Sequence, residues 1–168
     1  MEIDEKYVQA VRDRLNEYRE KSRDIDNQVE RLERLQAKMY GVGSQNLSDM
    51  PKSPSPSNDR MTDMVSQKEE LEQLIREDVE AQSQERKFIE DAMKHIRKSD
   101  EKAVIRMRYF DGYSWNDVRD MLFGHKEDYD EKLDSYQRRT FGVHRCALHH
   151  LAEYIYRDEL LDTAISTG

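Results

Sequence analysis

The chain has 168 residues, of which 38 % are charged and 36 % hydrophobic, with a net charge of −8 and a mean hydropathy of −1.07. That composition is too lean in apolar side chains for one large globular core and suits long solvated helices with a small core attached. A single cysteine, Cys146, excludes an internal disulfide framework; no apolar run reaches membrane-spanning length; and the opening Met-Glu-Ile-Asp-Glu-Lys has no signal-peptide pattern, so a reducing cytoplasm is expected.

From Asp4 to about Tyr40 there is neither proline nor glycine. Val8, Val11, Leu15, Tyr18, Ser22, Ile25, Val29, Leu32, Gln36 and Met39 recur at alternating steps of three and four, a heptad seam interrupted by polar residues. The remaining positions are almost all charged or amide. So narrow a seam cannot bury itself and needs a partner helix; its polar members are expected to set register rather than bind a ligand. Gly41-Val42-Gly43-Ser44 is expected to end this helix, and residues 41–59, rich in Ser and holding all three prolines, read as a linker. Asn58 or Asp59 can cap a second helix running to about Lys98, with apolar positions Met61, Val65, Leu71, Leu74, Ile75, Val79, Phe88, Ile89, Met93 and Ile96. Two helices of similar length joined by a linker predict an antiparallel hairpin over 1–98, although pairing between chains would satisfy the same seams and makes a homodimer a candidate partner.

Residues 99–157 read differently. Ser99 or Asp100 can cap a helix carrying Val104, Ile105, Arg108, Tyr109 and Phe110, which should stop at Asp111-Gly112. Ser114 and Asp117 have the spacing of a capping box at the start of a short helix with Trp115, Val118, Met121 and Leu122 inside, ended by Gly124. A last helix is expected from Asp134 or Ser135. Its inward stripe is Tyr136, Thr140, Val143, Ala147, Leu151 and Tyr154, widened by Leu148 and Ile155. Three helices with a basic start to the third follow the plan of a helix-turn-helix DNA reader.

Charge supports that reading only locally. Residues 135–157 set Arg138, Arg139, Arg145 and Arg157 against Glu153 alone, while 158–168 form an acidic tail. A major groove admits one helix; Arg can pair with guanine and Gln with adenine, and flanking Arg neutralise phosphate. The candidate DNA-binding residues on these grounds are Gln137, Arg138, Arg139, Phe141, His144 and Arg145, with double-stranded DNA as partner. A solvated basic face is the alternative. Two features stand against a simple helix-turn-helix: the turn Gly124–Asp134 is about eleven residues long and acidic, and Gly142 lies inside the last helix.

Ala103-Val104-Ile105-Arg106-Met107-Arg108-Tyr109-Phe110, Gly112, Ser114-Trp115-Asn116-Asp117-Val118 and then Ala147-Leu148 with Leu151 resemble region 4 of bacterial sigma factors. The whole chain, with its Ser-Pro linker and Tyr-x-Arg-Arg-x-Phe stretch, is similar to ArpU-like and RinA-like late-transcription regulators of phages and prophages. The resemblance implies promoter DNA binding through Tyr136, Gln137, Arg138, Arg139 and Arg145, and RNA polymerase as a possible further partner.

His144, Cys146, His149 and His150 cluster within seven residues, but a zinc site needs donors that the rest of the chain does not offer. No nucleophile elbow, Walker loop or Ser-His-Asp order occurs, so no catalytic residue, cofactor or metal is expected. The expectation is an all-α protein with a long antiparallel, coiled-coil-like hairpin followed by a three-helix helix-turn-helix. It would act as a transcription regulator, the alternative being a DNA-packaging protein like a small terminase subunit or another coiled-coil assembly protein.

Overall fold

The computed structural model describes residues 3–44 and 56–159, and these are all-helical, with no strand among them. The elements in chain order are α1 (Glu5–Ser44), α2 (Pro56–Met93), α3 (Ser99–Ile105) continued by a π-helical segment (Arg106–Phe110), α4 (Trp115–Phe123), a 3-10 turn (Asp130–Lys132) and α5 (Leu133–Ile155). They form two compact units. One comprises the chain up to Arg19 together with the chain from Glu85 onward; the other is Glu20–Gln84.

The first unit is larger than the three-helix domain expected to begin at residue 99. Val8, Val11, Leu15 and Tyr18 of α1 and Ile89, Ala92, Met93 and Ile96 at the end of α2 share one core with Ile105, Tyr109, Ala147, Leu148, Leu151 and Ala152. Both the start of the first helix and the end of the second thus spend their apolar positions on the C-terminal helices. Arg14 forks onto Glu85, its Nε donating to Oε1 at 2.5 Å and Nη2 to Oε2 at 2.9 Å, and lays its guanidinium on the Phe88 ring. Arg86 covers Phe110 in the same way, and Phe110 meets Tyr18 edge to face.

The second unit is an antiparallel helical hairpin. Among the covered residues of α2 here, Met61, Met64, Lys68, Leu71, Ile75, Asp78 and Gln82 alternate in steps of three and four, with Glu72 half-buried beside the line. Val65, Leu74 and Val79, expected among its apolar positions, lie off this line and are exposed. Toward the linker end the seam is apolar apart from Lys68, and toward the other end it is polar. Gln82 Nε2 donates to Ser22 Oγ at 2.6 Å, and Gln28 Nε2 donates to Asp78 Oδ2 at 3.0 Å. Lys21 Nζ lies 2.9 Å from Asp78 Oδ1, and the bonds from Lys21 and Gln28 hold the Asp78 carboxyl below its usual pKa.

Several helix ends differ from expectation. α1 runs through Gly41 to Ser44, since nothing there imposes a left-handed residue. α2 opens at Pro56, a residue suited to a first turn, rather than at Asn58 or Asp59; linker residues 45–55 lie outside the described residues. α2 stops at Met93, and tight turns through Lys94 to Ile96 bury Ile96 in the core. α3 has Lys98 at its cap, with Ser99 already helical and the Asp100 and Glu101 carboxylates in its positive first turn.

Candidate nucleic-acid interface

The approach to α4 is built by backbone chemistry. The Asp111 N–H donates to Arg106 O at 2.9 Å, and the Tyr113 N–H to Met107 O at 2.9 Å, so the helix closes in a wide turn. Gly112, at φ +74°, supplies the left-handed residue this turn requires. Ser114 then caps α4 as its spacing predicts: its Oγ accepts from the Asp117 N–H at 3.2 Å, and Asp117 Oδ2 accepts from the Ser114 N–H at 3.1 Å. This seats Trp115 beside α5, with the Arg108 guanidinium 4.8 Å over its ring and Phe141 and His144 meeting it edge to face.

The long turn before α5 is held by side chains. Arg119 Nε donates to Tyr129 Oη at 2.7 Å, and Arg119 Nη1 donates to Gln137 Oε1 at 3.2 Å. The Tyr129 hydroxyl also donates to Asp120. Asp128 accepts from Tyr136 Oη at 2.5 Å and Lys132 Nζ at 2.7 Å; with Lys132 first and Tyr136 second, these bonds bring its pKa down to about 2. The 3-10 turn Asp130–Lys132 then leads directly into α5 at Leu133. Two carboxylates that could oppose DNA phosphate, Asp120 and Asp128, are thereby paired within the protein. Asp130, Glu131 and Asp134 remain exposed at the start of the helix.

The structure separates the seven candidate residues into two groups. Arg138, Arg139, Phe141 and Arg145 are exposed, and Gln137 is half-buried with its carbonyl taken by Arg119. Tyr136 and His144 are buried and do not belong to an outer face. Tyr136 packs on Phe123 and Tyr129 and spends its hydroxyl on Asp128. His144 Nε2 is 2.8 Å from Tyr109 Oη, and burial, aided by Arg12 and Arg108, pushes its pKa down to about 4. The imidazole is neutral at physiological pH and belongs to the core. Its place was readable in part, since residue 144 is four from Thr140 and three from Ala147, both fully buried.

Arg138, Gly142 and Arg145, at steps of four and three, lie along one outer line of α5. A Cβ added to Gly142 would meet nothing within 4 Å, so the line between the arginines is open. Arg139 turns instead over the rings of Phe123 and Tyr136, at 5.0 and 5.4 Å. Arg145 comes within 3.9 Å of Glu5, a weak exposed pair. Arg119 and Tyr129, which position Gln137 and the entry to α5, were not singled out as site residues from the sequence. Their signal was faint: an Arg-Asp pair facing a tyrosine inside an acidic turn.

The histidines do not converge on an ion. His150 Nδ1 lies 2.6 Å from Oε2 of the buried Glu101, tying α5 to the start of α3, and Cys146 is exposed. No group of three or more metal-ligating side chains occurs among the described residues, and no described helix is long and apolar enough to cross a membrane. Comparison with protein-family models, curated proteins and solved structures finds no match to this chain.

Proposed function

We propose that the protein is a transcription regulator of the phage or prophage type that binds double-stranded promoter DNA with the outer line of α5. The observation that carries this reading is the exposed Arg138–Gly142–Arg145 line, open at its middle, on a helix fixed by a capped α4. A helix in a major groove needs a side chain that reaches base edges and close approach of its backbone. Arg138 and Arg145 provide the first, and Gly142, lacking a side chain, permits the second. Arg139 flanks the line within reach of a phosphate, and Phe141 offers an apolar contact to a thymine methyl. The likeness of residues 99–151 to sigma region 4 favours a promoter target and RNA polymerase as a second partner.

The test is fluorescence anisotropy on genomic fragments selected by the full-length protein, at two stated salt concentrations. Arg138→Ala with Arg145→Ala is expected to weaken binding at least about 30-fold, in line with ~1–3 kcal/mol for each of two lost base contacts. Helical content and melting temperature should stay at the parent values, because both side chains are exposed. Parent affinity in a folded double variant would refute the assignment. A DNA-packaging ring, the competing reading, would have the mass of an octamer or larger.

A further inference from the structure

We propose that the hairpin unit, Glu20–Gln84, pairs with a second copy of itself through the groove floored by Leu35, Leu71 and Leu74. The inference stands apart from the DNA reading and concerns a different surface. The groove encloses a volume of about 430 Å³, and Leu74 in its floor is 45 % exposed, so the hairpin leaves apolar area uncovered. Its two walls carry opposite charge. The α1 wall presents Arg31, Arg34 and Lys38; the α2 wall presents Gln67 and Glu70. Asp63, Glu70 and Glu77 stand one heptad apart on α2, with Leu74 between the last two, so the acidic wall extends beyond the groove in both directions.

A surface with one basic and one acidic wall over an apolar floor is complementary to itself, and its charges choose the symmetry. The Ser22–Gln82 and Gln28–Asp78 bonds set the register of the hairpin, which brings Arg31 level with about Leu74 and Lys38 level with about Gln67. A twofold axis running along the hairpin lays α1 of each copy over α2 of the other. Arg31 then falls between Glu70 and Glu77 of the second copy, and Lys38 between Asp63 and Glu70. A twofold axis across the hairpin would set α1 against α1 and oppose Arg31, Arg34 and Lys38 to their own copies. The result is a four-helix bundle in which every neighbouring pair of helices is antiparallel, with Leu35, Leu71 and Leu74 at its centre.

Sedimentation equilibrium of the full chain, with the mass read at several concentrations and salt levels, tests the proposal. A dimer is expected for the parent. Arg31→Glu with Arg34→Glu is expected to shift the mass to monomer, and so is Glu70→Lys with Glu77→Lys. An equimolar mixture of the two variants should recover a heterodimer, which a merely misfolded variant could not do. Val79→Gln, on the far side of the seam, should leave the dimer intact. A monomeric parent, a ring of eight or more copies, or charge-reversed variants that still dimerise alone would overturn the proposal. So would a monomer that captures a synthetic acidic amphipathic helix in the groove.

Discussion

At the scale of single residues, Gly142 and His144 have the most direct consequences for binding and stability. Gly142 lies mid-helix in open space, so an alanine there gains helix propensity without meeting any neighbour. Gly142→Ala is expected to raise stability by about 1 kcal/mol, read as a higher melting temperature, while weakening DNA binding if the backbone of α5 approaches the duplex. Opposite signs in stability and affinity distinguish a contact role from a structural one. His144 has a folded pKa pushed down to about 4 from an ordinary 6.5. The unfolded chain therefore takes up this proton first as pH falls. The contribution is fully present above about pH 6.5 and is lost as pH drops toward 4, amounting to about 3 kcal/mol over that range. Melting curves between pH 7 and 4 should show this slope in the parent and a flatter one in His144→Gln. The capping box at Ser114 and Asp117 was legible because its chemistry is local. The burial of Tyr136 follows from its place on the inward stripe of the last helix, whereas that of His144 was harder to read, because it depends on Tyr109 arriving from elsewhere in the chain.

At the scale of elements, heptad spacing located both long helices and their need for partners, but not which partner each half would take. The first four seam residues of α1, from Val8 to Tyr18, are buried in the C-terminal core, whereas Val29 on the same line is 38 % exposed. The linker-end halves of the helices pair with each other through a seam whose polar members, Lys68, Asp78 and Gln82, do not register as apolar periodicity. Apolar spacing alone therefore does not separate Val65, Leu74 and Val79, which are exposed, from Leu71 and Ile75. Two measurements follow. A fragment spanning 99–159 lacks the α1 and α2 side chains that cover Ile105, Tyr109 and Leu151, and it should show weak, non-cooperative thermal unfolding where the full chain unfolds cooperatively. Ser22→Ala removes the acceptor that faces the Gln82 amide and should cost about 1 kcal/mol, most of it regained in Ser22→Ala with Gln82→Leu. Equal destabilisation in both variants would mean that the polar pair does not set the hairpin's register.

At the scale of the whole molecule, the net charge of −8 has to be reconciled with the proposed binding of a polyanion. Three arginines, Arg138, Arg139 and Arg145, lie within eight residues of α5, and Asp120 and Asp128 beside them are paired with Arg119, Tyr129, Lys132 and Tyr136. An acidic remainder lowers attraction to arbitrary DNA and leaves discrimination to a few contacts. The most direct measurement is the affinity of the full chain for its selected promoter fragment against a scrambled duplex, over a series of salt concentrations. Log affinity should fall linearly with log salt, by a slope of about −1 for each phosphate that α5 neutralises, with the promoter fragment bound at least ~1000-fold more tightly than the scrambled one. Equal affinity for the two duplexes, or no binding to either at low salt, would contradict a DNA-reading role for α5.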